Sequence, residues 1–188
     1  MAPKVKYTKD EIVAETLELV KARGIEAVTA RDVAVQLNTS PRPIFTWFDT
    51  MDELKLEVFK QAREKYKRCI EKGLEEEPPV LGICKQSVMF ARKEPELYRL
   101  LFLNKPIDNT ENIMNGFKLI QSLARSSIMQ FFSVDARQAD GYFHELYFVT
   151  IALSTLSATG CCPYTDAKIK AILTEIAESI CNGQKHCL

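Results

Sequence analysis

The sequence predicts an all-α fold, and three observations carry that expectation. Apolar residues recur at intervals of three and four along most of the chain, and no alternating apolar–polar run is long enough for a sheet. Threonines stand three residues ahead of acidic residues at the starts of several periodic segments, which is the spacing of a capping box. Glycine and proline are sparse, at seven and eight in 188 residues, and most of them punctuate the periodic segments.

The first helix opens at Thr8, with Glu11 completing its box. It carries Ile12, Val13, Thr16, Leu17 and Val20 on one face, and Gly24 ends it as a left-handed cap. Thr29 with Asp32 starts a second, short helix bearing Val33, Ala34 and Leu37, which Asn38-Thr39-Ser40 interrupts. Ser40 then caps a third helix over 41–48. Pro41 and Pro43 both fall in its first turn, where amides have no intrahelical partner to lose. Thr50 and Glu53 form another box ahead of a long amphipathic helix through Leu54, Val58, Phe59, Ala62, Tyr66 and Ile70. Gly73 and the acidic, proline-containing stretch 75–79 end that helix and read as a boundary.

Beyond Val80 the pattern is helical again. Pro95 suits the first turn of a helix carrying Leu97, Leu100, Leu101 and Phe102, and 106–112 reads as a loop. Long helices are expected over 113–132 and 135–159. Gly160 to Tyr164 break the chain, and Thr165 caps a last helix with Ile169, Ile172, Leu173, Ile176, Ala177 and Ile180, closed by Asn182-Gly183.

Composition excludes several classes of protein. Apolar residues at 46% and charged residues at 27% describe a globular chain and not a disordered one. Lys+Arg equals Asp+Glu at 25 each, so a whole-chain basic field is excluded and any nucleic-acid binding needs a local patch. The first residues hold no uninterrupted apolar stretch of the secretory type. The longest uncharged run, 146–165, carries several hydroxyl residues, Gly160 and Pro163, which suits a buried helix better than a lipid-facing one. A cytoplasmic protein without membrane contact is therefore expected. The cysteines at 69, 84, 161, 162, 181 and 187 have no CxxC spacing, so free thiols are the default.

A helix, two short helices around a tight turn and a long connecting helix make a helix-turn-helix layout. The run 29–54, TARDVAVQLNTSPRPIFTWFDTMDEL, further resembles the DNA-binding signature of the TetR (tetracycline-repressor-like) family of bacterial transcriptional regulators. The matching residues are Thr29, Val33-Ala34, Thr39-Ser40, Ile44-Phe45, Phe48, Thr50 and Leu54. The rest of the chain fits by helix number and length. Three positions depart from the pattern. Phe45 stands where the family has a tyrosine hydroxyl for phosphate, Met51 where it has a lysine, and Asp49 adds a negative charge. Each lost phosphate contact lowers affinity and its salt dependence.

The resemblance implies a three-helix helix-turn-helix head over 1–50. A connecting helix over 51–72 would join it to a C-terminal ligand-binding and dimerisation bundle over 51–188, about nine helices in all. Within the head, Ile44 and Phe48 are four residues apart and face inward, which turns Arg42, Thr46 and Trp47 outward. Arg42 suits guanine or a phosphate, Thr46 a thymine methyl, and Trp47 the sugar and backbone. Lys4, Lys6 and Lys9 form a basic arm. Thr29 and Arg31 start the second helix, Thr39 and Ser40 hold the turn, Phe45 lies on the third helix, and Lys55 lies in the first turn of the fourth.

The implied function is a ligand-responsive homodimeric regulator, a repressor released from a palindromic double-stranded DNA operator by a small molecule. The family pairs through its last two helices, here about 138–159 and 166–181. Small and apolar residues around the circumference of the first of these suit burial on more than one side. Candidate liners of an effector cavity are Phe90, Tyr98, Phe102, Phe117, Tyr142, Phe143, His144, Tyr147 and Phe148. No cofactor or metal is expected. His144 has no His, Cys or carboxylate partner at metal-site spacing, and the glycines are too scattered for a phosphate loop or a nucleophile elbow, so no enzyme is expected. The reading of another class is a helical small-molecule-binding or protein-interaction module that has lost DNA binding.

Overall fold

The computed structural model describes residues 7–104 and 112–184. Among them are eight α-helices and no strand. They are α1 (Lys9–Arg23), α2 (Ala30–Gln36), α3 (Met51–Glu71), α4 (Pro79–Lys93), α5 (Pro95–Tyr98), α6 (Asn112–Phe132), α7 (Ala136–Ala158) and α8 (Asp166–Gln184). The chain falls into two compact units, Met1–Lys65 with Glu96–Glu111 and Tyr66–Pro95 with Asn112–Leu188, so α3 begins in the first and ends in the second. The loop expected over 106–112 lies outside the described residues except for Asn112, which already belongs to α6.

The local signals act as the sequence requires. Thr8 caps α1 and Thr29 caps α2, each with the reciprocal bond of a full box. Asp135 does the same for α7 with Gln138, and the Thr165 hydroxyl accepts from the Lys168 amide at the start of α8. Thr50 accepts from the Glu53 amide at 3.2 Å, but the Glu53 carboxylate reaches one residue further back than expected, to the Asp49 amide at 2.8 Å. Gly24 has φ +77° and ψ 163°, so it has the positive φ that favours glycine without being a left-handed helical residue. A side chain there would also press on the Glu96 carboxylate, 2.9 Å from the position of a Cβ.

In the first unit, Ile12, Val13 and Val20 of α1 share a core with Val33 and Ala34 of α2, together with Leu37, Ile44, Phe48, Leu54 and Val58; all are buried. Full burial of such a side chain is worth roughly 1.5–3 kcal/mol, which holds these short helices in place. The same unit contains Arg99–Leu103, which continues α5 as one turn of π-helix closed by the Asn104 amide on the Arg99 carbonyl at 2.8 Å.

In the second unit α4 and α7 pack on each other, and α6 and α8 each touch both. Asp140 of α7 accepts a bidentate pair from Arg125 of α6 and a bond from Gln121. The stretch 75–79, expected to be a boundary, lies inside this unit. Glu76 pairs with Lys85 and Gln86 of α4, both at 2.8 Å. Gly73 and Gly82 lie backbone against backbone. A Cβ on Gly73 would stand 2.3 Å from the Ile83 nitrogen, and one on Gly82 would stand 2.2 Å from the Gly73 oxygen. Proline and acidic composition suggested a linker; the two glycines, which allow this close approach, make it a packed corner.

Candidate nucleic-acid interface

The candidate interface is built on α2 and the turn that follows it. Asn38 has φ +50°, its amide returns to the Val35 carbonyl at 3.0 Å, and the Thr39 amide reaches the Ala34 carbonyl at 2.9 Å. This is a Schellman ending with asparagine in the left-handed position, so α2 stops sharply and the chain reverses. The turn expected from Asn38-Thr39-Ser40 is thus present, with a defined geometry.

The third helix differs from expectation. The α-helix expected over 41–48 is a single 3-10 turn, Ile44–Thr46, with no side-chain cap. The Ile44, Thr46 and Trp47 amides bond three residues back, to Pro41, Pro43 and Ile44, and only Phe48 closes an α-type bond, on Ile44. The cause lies in the two prolines. Pro43 has no amide to give, and it disfavours helical backbone at Arg42. Prolines that a first turn tolerates one at a time together leave too few donors for a regular α-helix.

The side chains still divide as the spacing requires. Ile44 and Phe48 are buried, at 0% and 2% exposure, while Arg42, Phe45, Thr46 and Trp47 are exposed. Ser40 is exposed and Thr39 half-buried. Arg31 is exposed on α2 and Lys55 half-buried in the first turn of α3. Among the described residues, Arg31, Arg42 and Lys55 make no ion pair, whereas Lys9, Lys21, Arg23 and Lys60 are each committed to a carboxylate.

Two expected contacts are used internally. The Thr29 hydroxyl donates to Asp32. That bond and the Arg23 guanidinium hold the Asp32 carboxyl below the usual carboxylate range. Thr29 therefore orders the start of α2, with its hydroxyl engaged by Asp32. Lys9, taken as part of the basic arm, lies in α1, 3.6 Å from Glu57, with its ammonium 5.4 Å from the centre of the Phe48 ring. Lys4 and Lys6 lie outside the described residues.

Tyr7 joins the candidate interface without being among the residues the sequence singles out. The Trp47 indole donates to the Tyr7 carbonyl at 2.9 Å, and the Tyr7 hydroxyl donates to the Leu37 carbonyl at 2.5 Å. Tyr7 thus ties the start of the chain to both the recognition turn and the end of α2. Its position directly before the Thr8 capping box, where an apolar residue often fixes the entry of the chain, is the signal that could have found it. Val35 on α2 is also an outward apolar side chain, 72% exposed.

The proposed effector residues fall into separate places. Phe117 stacks edge-on against Phe143 and Tyr147 and lies beside the His144 ring, each with centroids 4.9 Å apart. Phe90 meets Tyr66, and Tyr142 meets Phe132. Tyr98 and Phe102 pack on each other within the first unit. His144 is exposed, with its Nδ1 at 2.6 Å from the Asp140 carbonyl, and Phe148 is 68% exposed, so it lines no cavity. Among the described residues no three His, Cys, Asp or Glu side chains are grouped to hold a metal, and no helix is long and apolar enough to cross a membrane.

Comparison with known proteins gives the class of fold. No family model and no curated protein sequence matches the chain. Solved structures do. The fatty acid degradation regulator FadR from Bacillus halodurans superposes with a TM-score of 0.61 at 14% identity, over 94% of this chain and 99% of its own. NalD, the secondary repressor of the MexAB-OprM multidrug efflux pump in Pseudomonas aeruginosa, superposes at 0.55 and 14% identity, over 92% and 94%. The chain shares its all-α fold with these two structures over more than nine-tenths of its length.

Proposed function

We propose that the chain is a homodimeric, ligand-responsive transcriptional regulator that represses by binding a pseudo-palindromic operator. Residues 1–50 would form the DNA-binding head, and 51–188 would bind the effector and dimerise, with the start of α3 as the connection. The observation that carries this reading is the head itself. A Schellman turn at Asn38 delivers a segment whose apolar side chains, Ile44 and Phe48, are buried and whose Arg42, Phe45, Thr46 and Trp47 face outward. The cations beside it, Arg31 and Lys55, have no carboxylate partner among the described residues. The fold shared with two regulators supports the same conclusion.

Two such heads would enter successive major grooves about one helical turn apart. Dimerisation through α7 and α8 is supported by a row on α7. Phe148, Ala152 and Leu156, spaced four apart, are exposed on one face, and Gly141 on the same helix has open space around it. The effector site belongs with the buried aromatic cluster of Phe117, Phe143 and Tyr147. Ligand binding would favour a head spacing that no longer fits DNA, a coupling of typically ~1–3 kcal/mol.

The test is selection of a binding sequence from random duplex DNA, followed by fluorescence anisotropy against a scrambled control. The expected result is a palindromic sequence bound in preference to the control. Arg42→Ala and Thr46→Ala should weaken binding with circular dichroism unchanged. A selection that returns no sequence would refute the regulator reading and favour the ligand-binding module without DNA. The single 3-10 turn at the recognition segment is the observation on that side.

A further inference from the structure

The segment between α2 and α3 has few hydrogen-bond donors left for a partner. Its outward side chains are Arg42, Phe45, Thr46 and Trp47. Phe45, 49% exposed, carries no polar atom. The Thr46 hydroxyl donates to the Arg42 carbonyl at 3.3 Å, so its proton is engaged within the segment itself. The Trp47 indole N–H is engaged by the Tyr7 carbonyl at 2.9 Å. Arg42 is therefore the one outward side chain of 42–47 whose donors have no partner among the described residues. The rest of what this segment offers is carbon: two aromatic rings and the Thr46 methyl group.

That chemistry selects among the features of a base pair. In the major groove adenine, guanine and cytosine present hydrogen-bonding groups, and thymine adds a methyl group. A side chain without donors gains nothing from a base acceptor, and covering one leaves it dry and unpaired. A methyl is the base-edge feature that a carbon surface matches, because burying it is favourable by itself. Phe45, with no hydroxyl, can cover a methyl without stranding an oxygen. The charge that complements a polyanion comes from the flanking elements. Arg31 on α2 and Lys55 in the first turn of α3 make no ion pair among the described residues.

We propose that Phe45 and Thr46 make thymine the specificity-determining base of the operator, read through its C5 methyl and not through a hydrogen bond. This inference rests on the regulator reading and deepens it. Arg42 supplies the hydrogen-bonded contact of the segment, and Phe45 and Thr46 decide which bases are tolerated beside it.

The test uses the full chain and the duplex obtained by selection from random DNA. Each thymine is replaced in turn by deoxyuridine, which removes the methyl and keeps every hydrogen-bonding group. Anisotropy should reveal positions in each half-site where this weakens binding by about fourfold, as expected for one methyl returned to water, and by about fifteenfold when both half-sites are changed. The slope of log affinity against log salt should stay the same, because no phosphate contact is altered. Thr46→Ser removes a methyl and keeps the hydroxyl, so it should abolish the thymine–uracil difference at its own position, and Phe45→Ala should do so at another. Neither variant should lose further affinity on the duplex already lacking that methyl. Thr46→Val keeps the methyl and should bind as the wild type does. Both side chains are exposed, and circular dichroism checks that the variants fold; the deoxyuridine series needs no variant and decides alone if one does not. A selected duplex on which no deoxyuridine substitution matters would overturn the proposal and leave the regulator reading standing. So would a Thr46→Ser or Phe45→Ala protein that keeps the wild-type ratio at every position. A selection that returns no sequence would refute the regulator reading and this inference together.

Discussion

Trp47, proposed to meet the DNA backbone, also donates to the Tyr7 carbonyl, and a single substitution isolates that bond. Trp47→Phe keeps most of the ring and removes the donor that holds the Tyr7 carbonyl at 2.9 Å. The bond is part-exposed, so water can replace it, and its net worth is about 1 kcal/mol. Loss of stability should therefore stay below about 1 kcal/mol, and the melting transition should move little. Operator affinity should fall further than stability does. Freeing Tyr7 also frees the chain ahead of it, which carries Lys4 and Lys6. If those lysines meet phosphates only when the start of the chain is tethered, two contacts per head are lost, and each contributes about 0.9 to the slope of log affinity against log salt.

The assay is anisotropy on the selected operator at four salt concentrations, for wild type, Trp47→Phe, a chain lacking residues 2–6, and the double variant. Trp47→Phe should reproduce the shortened chain in both affinity and slope. The double variant should be no worse than the shortened chain alone, because both changes remove one shared interaction. Additive losses would mean that Trp47 touches DNA by itself and that its bond to Tyr7 is incidental. An unchanged affinity and slope for Trp47→Phe would refute the tether altogether.

Three further expectations concern the second unit. Gly73→Ala drives a Cβ to 2.3 Å from backbone that cannot turn aside, so it should cost about 3 kcal/mol or more, whereas Gly141→Ala, with nothing within 4 Å, should gain up to about 1 kcal/mol in chemical denaturation. Glu76 is held below the usual carboxylate range: burial acts upward, and Lys85 and Gln86 outweigh it. Its contribution is present above the ordinary carboxylate value and lost as pH falls through the lowered one, so Glu76→Gln should lose up to about 1 kcal/mol at neutral pH and progressively less as the pH is taken down through that value. Phe148→Arg should convert a dimer to a monomer in light scattering, with helix content retained; an unchanged mass would move the dimer away from this face of α7.

Most of the fold was legible because its signals are local. A threonine three residues ahead of an acidic side chain satisfies orphan amides whatever surrounds it, and the starts of α1 and α2 followed from that alone. Ile44 and Phe48 were assigned inward by spacing, and they are buried. What escaped depended on partners distant in sequence or on the balance of several weak effects. Nothing near Gly73 announces Gly82, and 75–79 looked like a linker because its packing depends on that unseen contact. Each of Pro41 and Pro43 fits a first turn, and only their sum prevents a regular helix. The sequence around Lys9 gives no sign of its ion pair with Glu57, 48 positions away.

Charge at the recognition face follows a similar logic, and it bears on how DNA would be held. A chain with equal numbers of cations and anions attracts DNA through those cations its own carboxylates leave available. Lys9, Lys21, Arg23 and Lys60 are occupied, and each lies away from the exposed residues of the recognition turn along the sequence. Arg31, Arg42 and Lys55 bracket that turn without such partners. Phe45 and Met51 stand where the resemblance implies a tyrosine hydroxyl and a lysine, so under the proposed function fewer phosphate contacts would be available. The outward side chains there include Phe45 and Trp47, whose apolar surface is indifferent to salt. Under the proposed function, affinity in such a head would come more from fitted apolar and base contacts and less from counterion release. That balance favours discrimination between sequences over retention on DNA of any sequence, because only the electrostatic part of the binding is shared by every site.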